Sequence, residues 1–125
     1  MAGSWATLAN RQGYLYNALN RPIGVIQEAT ADAAAATFPD TNFAGLSGLV
    51  TAIDVEFDTG VTPDTITITP KTIGGITLKT ATTLTASGRI TFSPPVDVCG
   101  GLTLDMTGTA NSVNSAKFKA VVLVR

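Results

Sequence analysis

The chain has no histidine, a single cysteine and few charges; eight Lys and Arg against nine Asp and Glu make up only 14% of its 125 residues. Each scarcity removes a class of function. Without imidazole there is no Ser-His-Asp or Cys-His catalytic arrangement and no Cys/His zinc site. Cys99 alone forms no intrachain disulfide, which excludes a small disulfide-stapled scaffold. The net charge is −1, and no cluster of Lys and Arg is available to hold phosphates, so nucleic acid is not an expected partner. The closest pair of bases, Lys117 and Lys119, reads as one solvated face of a strand. No run approaches about 18 consecutive apolar residues. The opening MAGSWAT has neither a basic nor an apolar signal region, so the expectation is a soluble chain made in a reducing compartment, without membrane contact. Charge well below the ~25% of typical domains suits a surface that lies against other protein; a small domain rich in Thr and Ser would show the same.

What is present divides near residue 48. Residues 1–47 carry Ala, Asn and Gln with scattered rings and no clean period, and read as an N-terminal arm or wrapping segment. Residues 48–125 are dominated by Thr, Val and Ile at period two, the habit of strands, because stiff β-branched side chains pack well on a pleated surface. Over residues 51–58, Ile53, Val55 and Phe57 point one way and Asp54, Glu56 and Asp58 the other. The same alternation places Ile66, Ile68, Ile90, Phe92, Leu102, Leu104, Phe118, Ala120 and Val122 inside. Pro70 is expected to end one strand and Pro94-Pro95 to interrupt another. The closing segment, 116–124, becomes apolar on both faces, as a central or doubly covered strand does. Six to eight short strands with regular turn signals predict a mainly β fold, an antiparallel β-sandwich or barrel. In the first half, residues 5–19 suggest an irregular helix from Leu8, Leu15 and Leu19, residues 24–29 a short strand, and residues 29–37 a short helix with four consecutive alanines. Residues 38–47 read as loop.

The search for chemistry is short. Asp54, Glu56 and Asp58 form a ladder spaced about 7 Å apart on one strand face, a spacing compatible with paired-carboxylate hydrolysis or with calcium joined by Asp64. Nothing else belonging to such a site accompanies it, and like charges on a strand also discourage edge-to-edge pairing. Cys99, beside a valine and two glycines, reads as a buried thiol rather than a nucleophile. Gly74-Gly75 and Gly100-Gly101 have no helix after them and read as turns rather than phosphate loops. No catalytic residue, metal ligand, cofactor or small-molecule substrate is expected; the chain is not read as an enzyme.

The segments VTAIDVEFDTGVTPDTITIT, RITFSPPVDVCGGLTLDMTGTANS and AKFKAVVLVR resemble, in style over residues 49–125, the head decoration or cement proteins of tailed bacteriophages and related virion components. The resemblance implies a β-sandwich or jelly-roll-like body joined to an irregular N-terminal arm with short helical pieces. It implies a homo-oligomeric structural protein of the virion, made in the host cytoplasm, that stabilises the head lattice through the major capsid protein or other virion subunits. A head–tail or tail component, and a ligand-binding β module for glycan or peptide, are the alternatives. Trp5, Tyr14 and Tyr16 are the expected partner-binding anchors if the arm docks outward, since buried rings dominate interface energetics. If the arm folds back, the same rings fill the protein's own core.

Overall fold

In a computed structural model of the chain, residues 4–7, 14–16, 22–30, 38–44, 46–106 and 116–125 are described, with backbone only for Thr7, Tyr14, Leu15, Tyr16, Pro22 and Ile23. Every regular element among them is a strand. In chain order these are β1 Ser4–Thr7, β2 Tyr14–Tyr16, β3 Pro22–Thr30, β4 Thr41–Ala44, β5 Gly48–Phe57, β6 Ile66–Thr72, β7 Thr82–Leu84, β8 Gly88–Val98, β9 Gly101–Asp105 and β10 Lys117–Val124.

They form two antiparallel sheets and no closed barrel. One runs β1-β3-β10-β5-β8, and the other β4-β9-β6-β7. Within the first sheet, β10 pairs with Gly24 to Thr30 of β3, while β1 pairs with Gln27 to Thr30 and β2 with Pro22 to Val25. A strand has two edges, so β1 and β2 lie end to end along the edge that β10 leaves open.

Period two delivers the core. Ile53, Val55, Ile66, Ile68, Ile90, Phe92, Leu102, Leu104, Phe118, Ala120 and Val122 are all buried in one cluster fed by both sheets, and Phe57 packs partly buried against it. The first half contributes as well, through Val25, Ala29, Phe38 and Phe43. Phe118 is the hub. Phe38 meets it edge-on at 5.0 Å between ring centres and Trp5 at 5.2 Å, the perpendicular arrangement that aromatic quadrupoles favour. The sheets are also joined by a buried polar latch: Thr41 Oγ1 on β4 donates to Gln27 Oε1 on β3 at 2.7 Å, and Gln27 Nε2 donates to the Asn42 carbonyl at 3.2 Å. Gln27 and Thr41 are the two buried polar side chains among the described residues, and each compensates the other's lost hydration.

Several sequence expectations are corrected. The described parts of residues 5–19 are strand rather than helix. Three leucines at loose helical spacing are a weak stimulus beside an open strand edge offering hydrogen bonds, and tertiary context overrides propensity. The expected strand at 24–29 is longer, Pro22–Thr30. Ala29 therefore lies inside a strand, one residue from its end, rather than opening a helix; residues 31–37 lie outside the described set. Residues 38–47 contain β4, whose side chains alternate buried and exposed. Pro70 does not end β6. Its carbonyl accepts the Leu78 N–H at 2.8 Å on the edge away from β9, and in a strand the N–H and C=O of one residue share an edge, so the missing donor takes nothing from the β9 ladder. Pro94-Pro95 does not divide β8, because the pairing with β5 steps from Val50↔Val96 to Ala52↔Thr91. Residues 92–95 therefore bulge out opposite Thr51, where no ladder bond is required of a proline.

The expected outcome of truncating the hub is a large loss. Phe118→Ala should lower unfolding free energy by about 3–5 kcal/mol, read from urea denaturation.

Candidate functional site

The acidic ladder is three separate local structures rather than one site. Asp54 is held bidentately by Arg89 of β8, Nε on Oδ1 at 2.5 Å and Nη2 on Oδ2 at 2.9 Å; this hydrogen bond and charge raise the Arg89 pKa. Register explains the pair, since Asp54 lies directly opposite Arg89. Asp58 closes the turn after β5: its Oδ1 accepts the N–H of Gly60 at 2.7 Å and of Val61 at 3.1 Å. Those two backbone donors, helped by Lys117 and Lys119, hold its carboxyl below the usual carboxylate range. Glu56 stands across from Lys119, which stands in turn across from Glu28. The row Glu28–Lys119–Glu56 alternates in charge across three strands and edges a shallow groove of about 210 Å³ that also includes Asp58, Lys117 and Phe57. The groove gathers acids and bases in near balance. Among the described residues no group of three or more His, Cys, Asp or Glu could hold a metal ion.

Trp5 lies on its own domain. Beyond its contact with Phe118, its Nε1 donates to the Pro39 carbonyl at 2.7 Å. Tyr14 and Tyr16 sit in β2, registered opposite Val25 and Pro22, and their side chains are outside the described residues. Cys99 is exposed rather than buried: it occupies the turn between β8 and β9.

The feature that sequence reading passed over is one end of the body. Ala44 pairs with Gly101, Thr72 with Leu102 and Gly48 with Val98, and Ser47 Oγ accepts the Gly100 N–H at 3.1 Å. Three connections are thereby gathered together, and between them residues 44–48, 73–77 and 99–100 contain no charged side chain. From this end projects the hairpin that follows β6. Thr72 N–H donates to the Ile76 carbonyl at 2.8 Å, Gly75 N–H to the Thr72 carbonyl at 2.9 Å, and Ile76 N–H to Thr72 Oγ1 at 3.0 Å; Lys71 bridges Thr77 beneath. Gly75, at φ 98°, makes the turn. Ile73 is 49% exposed and Ile76 70%, the exposed large hydrophobic side chains among the described residues. Ile73 is seated over Gly101, where an added Cβ would come within 2.8 Å of its Cγ1. The signal was available, as isoleucine on both sides of Gly74-Gly75, but period-two reading places such residues in strands that face a core.

Asp97 and Arg125 are exposed beside Leu49 at this same end, and the connections at the opposite end carry the exposed Asp40, Asp58 and Asp64.

No protein-family model matches the chain, and no curated protein matches it.

Two measurements follow from these contacts. A carboxylate whose folded pKa is depressed stabilises the fold above its unfolded pKa, 3.8 for Asp58, and loses that contribution as pH falls through the lower folded value. The stability gap between wild type and Asp58→Asn should therefore be constant near neutrality and close below that pH, as read by denaturation at a series of pH values. Trp5→Phe should lose about 1 kcal/mol with the Pro39 hydrogen bond, and Trp5→Ala about 3 kcal/mol with the ring as well, by the same method at pH 7.

Proposed function

We propose that the protein is a virion structural protein of the capsid-decoration kind, present in many copies and stabilising a phage head lattice by repeated protein contacts. The observation that carries this reading is the strand order. From β3 onward, β3-β10-β5-β8 opposite β4-β9-β6-β7 is the order of an eight-stranded jelly roll, the architecture of two Greek keys used by viral capsid domains, lectin domains and cupins. The expectation of a jelly-roll-like body taken from the resemblance is supported by that order, with β1 and β2 as additions on its edge.

A fold does not assign a function, so the choice among its users rests on side chains. The sequence has no histidine for metal chemistry. Phe38, Phe43, Phe92 and Phe118 are turned into the core, and no described aromatic residue is exposed as a platform for a sugar. The carboxylates that suggested hydrolysis are engaged with Arg89 and a turn. A weakly charged β body with two exposed isoleucines at one turn fits a protein whose work is contact. Since Trp5 is taken up by its own domain, outward attachment passes to other surfaces of the body.

The reading is tested on particles. Virions of the phage that encodes the chain should contain it at near-lattice copy number, placed on the head by electron cryomicroscopy, and heads assembled without it should rupture at a lower temperature. Recovery of the chain only from the soluble fraction, or its location on the tail, would overturn the assignment.

A further inference from the structure

We infer that β1 is an exchangeable strand: it fits the β3 socket of a second copy as it fits its own, and closely packed copies of the chain are linked by exchanging it. The inference concerns contact between copies and holds whatever larger structure they sit on.

The socket is built from other elements. Its wall is the β3 edge from Gln27 to Thr30, held from the far side by β10 over Gly24 to Thr30. Its floor is the Phe118 ring, steadied by Phe38 at 5.0 Å, and its polar contact is the Pro39 carbonyl. Into it β1 places one large side chain, the half-buried Trp5, between the exposed Ser4 and Ala6. β1 is bonded along a single edge over four residues and ends the sheet on that side. Short edge elements with few contacts open at a small part of the global unfolding free energy. What they leave behind is a strand edge with unpaired backbone groups, a template for another strand.

The length of the connection decides where the strand can go. β1 and β2 run in the same direction along β3, with Thr7 opposite Gln27 and Tyr14 opposite Val25, so Ile26 alone separates their pairing sites. That gap is about 7 Å of strand, which one residue would cross. Six residues, 8–13, join its two sides, and the chain from Thr7 to Tyr14 can span up to roughly 23 Å. Covalent connection therefore does not confine β1 to its own socket. A copy within that reach presents the same edge, the same ring and the same carbonyl, and the contacts made there equal those given up. The distribution of β1 then follows the concentration of sockets, its own being offered at the millimolar level of a short tether. Dilute chains keep β1 in place, and copies crowded to that level exchange it. A foreign strand competes poorly, since the register and the ring contacts fit Ser4–Thr7, which every copy carries.

The experiment mixes two variants of the full chain, each also carrying Cys99→Ser: Ala6→Cys in one and Glu28→Cys in the other. Ala6 lies opposite Glu28, within the Cα separation that a disulfide bridges. A bond between the two introduced thiols therefore requires β1 of one copy in the socket of the other. Peptide mapping after brief oxidation should find it in about 1% of chains at about 10 µM and in tens of percent at about 1 mM. Adding Trp5→Ala to the first variant should lower that yield by about tenfold or more. A single chain carrying Ala6→Cys, Glu28→Cys and Cys99→Ser should close the bond internally in the dilute sample. Internal closure with no intermolecular bond in the concentrated sample overturns the exchange. Failure of the internal bond to close overturns the register on which the exchange rests. An intermolecular yield that is insensitive to Trp5→Ala, or is matched by bonds between like thiols, reports random collision and overturns it as well.

Discussion

The fold depends on β10 being hydrogen-bonded along both edges. On one side it pairs with β3 from Lys117 to Leu123, and on the other with β5 from Phe118 to Val124. The two neighbours come from parts of the sequence with different habits, and neither pairs with the other. Without β10 the first sheet separates into β3 with its short additions and β5 with β8. The inward face of the same strand carries Phe118, Ala120 and Val122, so the strand that completes the ladder also supplies the centre of the core. Val121, on its other face, is buried too. That double apolarity is what a strand with a neighbour on each side permits, and it would be costly at an edge.

This arrangement makes nearly all stabilising pairings distant in sequence. The polar latch between Gln27 and Thr41 connects sheets, the Lys71–Asp105 pair joins β6 to β9, and Asp54–Arg89 ties β5 to β8. Exposed ion pairs contribute little to stability individually. Their positions show instead how register brings opposite charges together across neighbouring strands, β6 with β9 and β5 with β8.

Legibility in the sequence followed the same physics. From residue 48 onward, one side chain in two faces the core, and hydrophobic alternation records that choice directly; hence Ile53, Ile66, Ile90 and Leu104 were readable as core without any knowledge of pairing. The first half was not, because β1, β2 and β4 are three or four residues long and derive their regularity from the strands beside them. Phe38 and Phe43 look like loop aromatics until Phe118 and β9 are placed next to them. The two proline sites misled for a related reason: whether Pro70 or Pro94 breaks a strand depends on which edge needs a donor, and that is a property of the neighbour. The acidic ladder was visible as a pattern, but the partners that disperse it, Arg89 and the Gly60-Val61 turn, are set by register. The apolar hairpin was written plainly in Ile73-Gly74-Gly75-Ile76, and only solvent exposure distinguishes it from a core strand.

The bulge at Pro94-Pro95 has a consequence for the protein at high concentration. β8 borders the first sheet over eleven residues, long enough to act as a template for growth by strand addition from one molecule to the next. Successive N–H groups of a strand face opposite edges, so of the two adjacent prolines one lacks a donor toward that border, and the displaced stretch at residues 92–95 bends the template out of line. An incoming strand can engage the first few residues of β8 or the last few, and neither stretch alone approaches the length on which a cross-β stack propagates. The β8 border is thereby a poor template for joining crowded copies of the chain edge to edge.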